Sequence, residues 1–375
     1  MIGSITVSTE ALRTNATLLR DLIAPSKAAF VVKGNAYGHG LCETALAIEQ
    51  LASKFCVYSV DEAVALRDGG ITAPILVLGP IPHDALKDAI DARAEIALWD
   101  TSEYVHHVAD AARKAHRRIK THVKINTGLN RLGLEPNELA DAVEDYAKLS
   151  DLELVGLFSH LAAAEEIDSP YTHLQLERFN NASESAASAF ANTGGLPTRH
   201  IAASAAAMLW PETRLDMVRF GIALYGLWPS PQTREAANGG KLRLVPALSY
   251  HTQLVESRHV AAGDAIGYGT TFHAPRGMQI GVLPLGYADG IPRLLSNRGS
   301  VLVSGARCAI VGRVAMNMTF VDLTNAPQAK AGDRVTLIGT DGHESITADD
   351  WATWSETINY EIVTRLPSTL TRTFT

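Results

Sequence analysis

The sequence has little cysteine, little net charge and no long apolar run. Three cysteines among 375 residues (Cys42, Cys56 and Cys308) are too few and too scattered for a disulfide framework or a metal cluster, so we expect buried free thiols and no metal site. A net charge of −7 gives no attraction to a polyanion, which argues against nucleic-acid binding. Since no apolar run reaches the roughly 18 residues that a membrane helix needs, we predict a soluble, cytoplasmic protein without a membrane partner.

Short, almost wholly apolar runs recur through the first part of the chain. They are Ala28–Val32, Phe55–Val60, Ile75–Gly79, Ile96–Trp99, Thr121–Ile125, Val155–Ser159, His200–Ala203 and Met217–Leu224. Most of these runs do not alternate between apolar and polar residues, which is typical of strands buried on both faces of a parallel sheet. Stretches of helical spacing lie between them, and strands that alternate with helices in this number predict an α/β fold, a (β/α)8 TIM-like barrel.

The stretches of helical spacing carry start signals of their own. They are Thr44–Leu51, Asp61–Arg67, Asp84–Ala92, Ser102–Ala115, Glu138–Leu149 and Tyr171–Ala191. Asp61 and Ser102 are candidate N-caps, because a short side-chain oxygen can accept from the first free backbone N–H groups of a helix. Pro136 is suited to a first helical turn, where its missing N–H costs nothing.

The pattern changes after Leu227, where Trp228 to Gly240 form a linker rich in Pro, Ser, Asn and Gly. Beyond it, short segments separated by Gly and Asp turns predict a mostly-β domain that ends in a helical piece at Thr347–Thr364. The predicted strands are Leu248–Val255, Ile280–Pro284, Ser300–Ser304, Ala309–Val314, Thr319–Leu323 and Arg334–Ile338. We therefore expect a strand within residues 1–8 that packs with the β-domain, a barrel over residues 9–230 and a β-domain over residues 241–375.

A lysine stands where the first predicted barrel strand ends. Lys33 follows a buried apolar run and precedes the sequence GNAYGHG. Barrel enzymes keep their reactive groups at the carboxyl ends of their strands. Burial disfavours a charged amine and lowers its pKa, which leaves a nucleophile able to form a Schiff base. On this feature alone, a structural lysine that extends its head group to solvent remains the alternative.

Other polar residues fall at the same predicted rim. They are Lys124 in strand five, His160 at the end of strand six, Ser204 at the end of strand seven and Arg219 in strand eight. TIM barrels often bind phosphate in the loops after strands seven and eight, where Ser204 and the backbone at Gly221-Ile222 fall. Gly221 has no Cβ and lets a backbone N–H approach an anion closely. Together with the lysine on strand one, this predicts a phosphorylated aldehyde held at both ends.

The residues so far resemble the alanine racemase family, whose members use pyridoxal 5'-phosphate (PLP). The sequence from Val32 to Gly40 (VKGNAYGHG) is similar to the family's PLP-attachment signature, and the sequence from Lys124 to Gly133 (KINTGLNRLG) to its second motif. Seven shorter motifs match in order and spacing: Phe158–His160, His200–Ser204, Val218–Ile222, Gly267–Gly269, Leu285–Gly290, Gly312–Met316 and Asn359–Glu361. A single motif of this kind would be weak evidence, but the set covers essentially the whole chain.

The resemblance implies roles for residues in both predicted domains. Lys33 would carry PLP covalently, and Arg219 would face its pyridine nitrogen with support from His160. The groups that would bind the PLP phosphate are Tyr37, Ser204, Gly221, Ile222 and Tyr360. Arg131 and the backbone of Met316 would hold the substrate carboxylate.

The resemblance also implies a homodimer with shared active sites, because Tyr268 and Met316 would reach into the partner subunit's site. The substrate entrance would be lined by Tyr287, Arg293 and Arg313. The implied activity is the interconversion of L-alanine and D-alanine, which supplies D-alanine for peptidoglycan.

The implied chemistry requires opposed proton donors and acceptors. Racemisation removes the α-proton from one face of the substrate and returns one to the other, which two bases on opposite faces do directly. Lys33 would be one base and Tyr268 of the partner subunit the second. Arg219 is a pure donor, so it would leave the pyridine nitrogen unprotonated and thereby suppress transamination.

The chain departs from the family pattern beside Lys124, the position of a carbamylated lysine in many members. Asn126 stands where Asp is usual, which leaves three alternatives for Lys124: a carbamate, an anion or hydrogen bond in its stead, or an ordinary barrel lysine. Further departures near the substrate leave a serine or broad-specificity racemase open as the alternative activity. They are Ala203, Phe220, Ala315 and Asn317.

Two other classes of PLP protein share parts of this pattern. Related decarboxylases resemble the architecture but usually set Glu against the pyridine nitrogen, so Arg219 argues against them. Non-catalytic PLP carriers built on the barrel alone lack a second domain, so the predicted β-domain with Tyr268 argues against that class.

Overall fold

A computed structural model describes residues 3–100, 103–193, 195–237 and 242–375. The chain forms two compact units. One, here called the barrel unit, comprises Ala11–Ala36 and Leu41–Val245. The other, here called the β-unit, comprises Met1–Glu10, Tyr37–Gly40 and Pro246–Thr375. The β-unit thus takes in two short N-terminal segments besides the C-terminal part of the chain.

The strands of the described residues are numbered in chain order. They are β1 Gly3–Val7, β2 Lys27–Val31, β3 Lys54–Val57, β4 Ile75–Val77, β5 Ala94–Leu98, β6 Ile119–Lys124, β7 Leu152–Phe158, β8 Thr198–His200, β9 Met217–Phe220, β10 Leu248–Gln253, β11 Glu256–Val260, β12 Met278–Leu283, β13 Ser300–Val303, β14 Ala306–Ala309, β15 Thr319–Asp322, β16 Arg334–Asp341, β17 Glu344–Ile346 and β18 Thr371–Phe374. The α-helices of the same residues are Thr9–Leu22, Leu41–Ile48, Val60–Asp68, Leu86–Asp91, Glu103–Lys114, Leu139–Ala147, Tyr171–Ser185, Ala187–Ala191, Ser204–Leu209, Pro231–Ala236, Ala348–Trp354 and Asn359–Thr364. In the described ranges, no helix is both long enough and apolar enough to span a bilayer.

Strands β2 to β9 form a parallel sheet in the order β8-β7-β6-β5-β4-β3-β2-β9. Where its edge strands β8 and β9 approach each other, the Asp216 N–H, just before β9, donates to the Arg199 carbonyl, and the Arg219 N–H donates to the Ala202 carbonyl, just after β8, each at 3.1 Å. The sheet therefore comes close to closing on itself, and the predicted (β/α)8 TIM-like barrel is confirmed. Strands β4 and β5 are buried along their whole length, as expected for a parallel sheet covered by helices.

Every predicted barrel strand overlaps an observed one, but several extend too far in the prediction. Phe55–Val60 runs into the helix Val60–Asp68, Ile75–Gly79 passes the end of β4 at Val77, and the last two predicted strands pass the ends of β8 and β9. Strand β8 ends at His200, and Ala203 is the extended N-cap residue of the helix Ser204–Leu209. Strand β9 ends at Phe220, and a 3₁₀ helix occupies Ile222–Tyr225.

The helix starts are partly as predicted. Pro136 opens the 3₁₀ helix Pro136–Glu138 at its first turn, which is confirmed. Asp61 is not an N-cap, which corrects the prediction: Ser59 caps the helix Val60–Asp68, and its hydroxyl accepts from the Glu62 N–H at 3.3 Å. Ser102 lies outside the described residues.

Two further predictions in the barrel unit need correction. The single helix predicted over Tyr171–Ala191 is two helices that meet at Ala186. The linker predicted from Trp228 contains the helix Pro231–Ala236, which Ser230 caps by accepting from the Thr233 N–H at 3.0 Å.

The β-unit contains two sheets. The larger has the order β14-β13-β16-β10-β1-β18, and β17 pairs with β16. Strand β1 runs antiparallel to β10 and parallel to β18, so the two chain ends lie side by side in this sheet. The smaller sheet has the order β11-β12-β15.

The β-unit departs from the prediction at its short hairpins. The strand predicted over Ala309–Val314 is wrong: β14 covers Ala306–Ala309 and pairs with β13 across a turn at Ser304 and Gly305, both with positive φ. Strands β11, β17 and β18 were not among the predicted strands. The helical piece predicted over Thr347–Thr364 is two helices, since Glu356 between them has a φ of 56°.

All three cysteines are free thiols. Cys56 and Cys308 are buried, as expected, whereas Cys42 is only half-buried.

Candidate active site

The carboxyl ends of the barrel strands bring basic side chains together. Lys33 follows β2, Lys124 is the last residue of β6, and Arg219 lies in β9. The positive charges of Arg131 and Arg219 act on both lysines and on His160, which shows that these groups share one region of the rim. The structure therefore assembles the residues predicted from separate strands into one cationic site.

The backbone after Lys33 forms a left-handed turn. Gly34, Asn35 and Ala36 have φ angles of 65°, 54° and 52°. A non-glycine residue in this region costs about 1 kcal/mol or more, so neighbouring contacts must hold the turn. The Gly34 N–H donates to Glu62 Oε1 at 2.6 Å, and Asn35 Oδ1 accepts from the Leu41 N–H at 2.9 Å. The chain thus leaves strand β2 in a strained and well-anchored conformation directly at the candidate lysine.

The Lys33 ammonium group is disfavoured by its surroundings. Burial lowers the pKa of Lys33, and the nearby charges of Arg131 and Arg219 lower it further, while Glu62 acts in the opposite direction. A larger fraction of the side chain is therefore present as the free amine than for a lysine in water. The free amine is the nucleophilic form.

Lys124 is buried at the same rim. Its Nζ lies 5.8 Å from the centre of the Phe158 ring, and burial together with Arg131 lowers the pKa of Lys124 to about 8. Asn126, two residues on, turns into its own loop: its Nδ2 donates to Asn130 Oδ1 and to Glu135 Oε1, both at 2.9 Å.

Arg219 is fully enclosed, and both its Nη groups are engaged. One donates to His200 Nδ1 at 2.6 Å and to the His200 carbonyl at 2.9 Å. The other donates to the Ser159 carbonyl at 2.8 Å and contacts His160 Nδ1 at 3.2 Å. Burial lowers the pKa of Arg219 to about 10, so the guanidinium remains charged near neutral pH. Among the contacts of the described residues, the Nε–H is the donor left over.

His160 is neutral under ordinary conditions. Burial and the charge of Arg219 lower the pKa of His160 to about 3. Arginine has no acceptor, so the His160 Nδ1 that faces Arg219 must itself be the acceptor. The proton of this imidazole is therefore on Nε2.

The predicted phosphate loops come together in the barrel unit. The Gly221 N–H donates to Ser204 Oγ at 3.1 Å, which joins the start of the helix Ser204–Leu209 to the 3₁₀ helix that begins at Ile222. Since Ser204 Oγ accepts here, its own hydroxyl proton is left to donate to an anion.

The β-unit holds the two tyrosines that were predicted to bind phosphate. The rings of Tyr37 and Tyr360 lie 6.2 Å apart between centroids. Gly38 makes this approach of the segment Tyr37–Gly40 possible: its φ is 82°, and a Cβ there would lie 1.9 Å from the Val363 carbonyl oxygen.

The remaining predicted residues of the β-unit lie in its turns. Tyr268 is 74% exposed and Met316 is 56% exposed. The Arg313 guanidinium packs against Gly269, next to Tyr268. The Tyr287 N–H donates to the Ala315 carbonyl at 2.9 Å, which brings Tyr287 beside Met316, and Arg293 begins the 3₁₀ helix Arg293–Leu295.

Sequence reasoning missed a set of polar residues inside the barrel, behind Arg219. His200 contacts His122, and His122 contacts Glu95, which also accepts from Lys54. Glu95 is the one polar residue of β5 (Ala94–Leu98), and that is a signal that could have found it. His122 and His200 lie in strands with other polar residues, so they carry no such signal. Their connection is visible only once the strand register is known.

The fold and the site together are typical of an enzyme that acts on a small molecule. A (β/α)8 barrel with a desolvated lysine after its first strand and a cationic rim is an enzyme scaffold suited to a small anionic carbonyl compound. The mostly-β unit on the same chain distinguishes it from enzymes built on the barrel alone.

The chain belongs to the alanine racemase family. It matches the family description "Alanine racemase, N-terminal domain" over residues 7–229 and "Alanine racemase, C-terminal domain" over residues 247–374. A curated alanine racemase of Symbiobacterium thermophilum is 41% identical over 359 residues, covering 95% of this chain and 93% of that protein.

Solved structures agree with this assignment. The alanine racemase from D-cycloserine-producing Streptomyces lavendulae has a TM-score of 0.93 at 34% identity, covering 100% of this chain and 97% of that one. The alanine racemase from Bartonella henselae, described with covalently bound pyridoxal phosphate, has a TM-score of 0.85 at 27% identity, covering 100% of both chains. The family predicted from the sequence motifs is therefore confirmed, and the chain is an isomerase of the racemase type.

Proposed function

We propose that this chain is a PLP-dependent racemase that interconverts L-alanine and D-alanine, with Lys33 and Tyr268 of the partner subunit as its two bases. The observation that supports this most strongly is the state of Lys33. It stands at the carboxyl end of a barrel strand, on a strained turn, with a pKa lowered by burial and by neighbouring cations.

The residues of the barrel unit fit PLP as a chemical group. Lys33 offers a free amine for the aldehyde carbon, and the Ser204 hydroxyl with the backbone at Gly221 and Ile222 offers donors for the phosphate. The predicted phosphate contacts from Tyr37 and Tyr360 would complete this set. The cationic rim suits a ligand that carries both a phosphate and a carboxylate. When bound, PLP supplies an electron-withdrawing ring that stabilises negative charge at the substrate Cα.

The two bases would act on opposite faces of the substrate. Lys33, as a free amine, takes or returns the α-proton on one face, and Tyr268 of the partner subunit takes or returns it on the other. The high exposure of Tyr268 within a single chain supports this assignment, since a base must reach its substrate. The proposal therefore includes a homodimer with shared active sites, in which the backbone of Met316 also serves the partner subunit.

Arg219 and Arg131 would orient the ligands. Arg219 is held as a donor by the backbone carbonyls around it, and its remaining Nε–H suits the pyridine nitrogen. His160, neutral and protonated on Nε2, would support that arrangement. Arg131, exposed at the rim, offers a bidentate guanidinium for the substrate carboxylate. Tyr287, Arg293 and Arg313 would line the entrance.

Lys124 can be present as an unmodified amine or as a carbamate. A pKa of about 8 leaves a substantial fraction of free amine, which is the form that reacts with carbon dioxide to give a carbamate. The Asn126 side chain is engaged within its own loop and brings no negative charge to Lys124. We propose that Lys124 acts as a plain amine beside Arg131.

A substrate panel tests the proposal. Purified protein with PLP is given L-alanine, D-alanine, L-serine and L-lysine, and both enantiomers of each product are quantified by chiral chromatography. We expect alanine to be racemised in both directions and faster than the others. Faster turnover of serine or lysine would favour the broad-specificity alternative, and carbon dioxide release without racemisation would contradict the proposal.

A further inference from the structure

A buried chain of hydrogen bonds links Arg219 to the far side of the barrel interior. Arg219 contacts His200 Nδ1 at 2.6 Å, His200 Nε2 contacts His122 Nδ1 at 2.8 Å, and His122 Nε2 contacts Glu95 Oε2 at 2.7 Å. The four side chains come from strands β9, β8, β6 and β5. Lys54 of β3 donates to the same Glu95 oxygen.

Both ends of this chain fix the positions of the protons within it. Arginine carries only donors, so His200 Nδ1 accepts and the His200 proton is on Nε2. His200 then donates to His122 Nδ1, which places the His122 proton on Nε2, facing Glu95. Reading from the other end gives the same result, because an ionised carboxylate carries only acceptors and must receive a proton from His122.

The charges of the groups agree with this arrangement. Burial lowers the pKa of both His122 and His200, so both rings are neutral. Burial raises the pKa of Glu95, but the hydrogen bonds from His122 and Lys54 and the positive charge of Lys54 outweigh it and hold Glu95 ionised. Lys54 Nζ and His122 Nε2, 3.1 Å apart, are then two donors that converge on one carboxylate oxygen.

The surrounding barrel is shaped to this chain. Gly156 of β7 leaves space for His122, since a Cβ there would lie 1.9 Å from His122 Nδ1. The Phe158 ring stacks on His200 at 4.9 Å with an interplanar angle of 3°, and the Arg219 guanidinium lies over the same ring at 5.5 Å. Both imidazoles are therefore restricted in position as well as in tautomer.

We infer that Glu95, His122 and His200 are positioning residues that hold Arg219 as a fixed hydrogen-bond donor at the barrel rim, through a chain whose bonds all point from Arg219 towards Glu95. A His200 proton on Nδ1 would oppose the Arg219 donor and push the guanidinium away. Glu95 prevents this tautomer of His200, because it accepts from His122 Nε2 and leaves His122 Nδ1 as the acceptor for His200 Nε2. Only the last step, that the Arg219 donor faces the pyridine nitrogen, rests on the proposed function.

Neutron diffraction from crystals of the wild-type enzyme, with PLP and without it, tests the chain directly. We expect His122 and His200 each to carry one hydrogen, on Nε2, in both crystals. A hydrogen on Nδ1 of either ring, or two hydrogens on either ring, would overturn the inference. This outcome does not depend on racemase activity, so it separates a failure of the inference from a failure of the proposed function.

A variant that breaks the chain tests its effect on the reaction. His122→Phe keeps a ring of similar size but removes both nitrogens. We expect kcat for alanine to fall about 10-fold, as when outer-shell partners of a site are removed, with KM nearly unchanged. We also expect more transamination events per racemisation event, which a merely structural effect would not change.

Thr121→Val is the matched control, because Thr121 is the buried neighbour of His122 in β6 and donates to the Glu153 carbonyl instead. It should keep the wild-type ratio of transamination to racemisation. Wild-type kcat and ratio in His122→Phe would count against the inference, and should that variant fail to fold, the neutron result on the wild type decides.

Discussion

The candidate residues of the barrel unit and those of the β-unit differ in how they are held. Arg219 and Lys124 are 4% and 6% exposed, whereas Tyr268 and Met316 are 74% and 56% exposed. The first pair lies on strands whose register and packing fix each side chain, and the second pair lies in turns. The barrel unit therefore holds a preformed site, while the β-unit presents residues that a single chain leaves uncovered.

The local backbone places Tyr268 in a turn. Gly267 and Gly269 on either side of it have φ angles of 75° and 70°, and Thr270 has a φ of 48°. These three residues interrupt regular secondary structure, so Tyr268 lies on a turn. If the proposed dimer is correct, the partner subunit supplies the cover that the chain itself does not.

The largest expected loss of activity tests Lys33 in the preformed site of the barrel unit. Lys33→Ala should lower racemisation by about 10⁴-fold and abolish covalent attachment of PLP, because one base and the only proposed attachment point are lost together. The measurements are the initial rate of D-alanine formation and mass spectrometry after borohydride reduction. Lys148→Ala, at an exposed lysine that pairs with Asp145, is the control. Retained activity and attachment in Lys33→Ala would refute the proposed role of Lys33.

The second-largest expected loss of activity tests the role of the exposed Tyr268. Tyr268→Phe keeps the aromatic ring and removes the group that would transfer a proton, so racemisation should fall about 10³-fold. PLP attachment at Lys33 should be unchanged, since the barrel unit is untouched. The difference between the two variants would show that the two units contribute separable parts of the reaction.

Mixing these two variants shows whether Tyr268 acts across the dimer. In a heterodimer of Lys33→Ala and Tyr268→Phe chains, one site has both wild-type bases if Tyr268 serves the partner subunit. Co-expressed chains that assort at random should then regain about a quarter of wild-type activity. If both bases belonged to the same chain, no site would be complete, and activity would stay at the level of the variants.

A third prediction tests the proposed role of Arg219 as a hydrogen-bond donor to the pyridine nitrogen. Arg219→Glu replaces a donor with an acceptor that can hold a proton on the pyridine nitrogen, so we expect racemisation to fall about 100-fold and transamination to rise. Pyruvate formation and D-alanine formation are measured in the same reaction. Arg219→Lys keeps the charge and should give a smaller change in their ratio. Unchanged rates of both reactions in Arg219→Glu would contradict the assigned role.

The sequence predicts residues at strand ends well, but not contacts that depend on strand register. Lys33 and Arg219 were found because a polar residue at the end of an apolar strand has one expected location in a barrel. The link from His200 through His122 to Glu95 was not found, because it joins strands far apart in sequence and depends on their register. In the β-unit, strand β14 was misassigned because two positive φ angles at Ser304 and Gly305 shift the hairpin.

The exposure of Tyr268 illustrates a second limit. An aromatic residue between two glycines does not reveal from sequence whether its ring is buried by its own chain. The expectation that Tyr268 reaches the partner subunit came from the motif resemblance. The exposed ring is the structural feature that supports the proposed dimer.

The smallest expected effect concerns the stability cost of the buried cations. Burial and Arg131 lower the pKa of Lys124 to about 8, from the ordinary value of 10.5 that applies to the unfolded chain. Between these two values the unfolded state binds more protons than the folded state, so the contribution of Lys124 to stability improves as pH rises. Below about pH 8 the charged, buried amine imposes its full cost.

Lys124→Met should therefore be more stable than the wild type at pH 7, by about 1 kcal/mol after allowance for solvent screening, and the advantage should shrink towards pH 10. Unfolding free energies from denaturant titration measure the difference, at one protein concentration and in a buffer that contains bicarbonate, so that a carbamate can form. Lys120→Met, an exposed lysine in the same strand, is the control and should show no such trend. A Lys124→Met variant less stable than the wild type at pH 7 would contradict this prediction. It would show that the cost of burying Lys124 is offset in the wild type, as it would be by a carbamate facing Arg131. The cationic rim would then contain a negative charge.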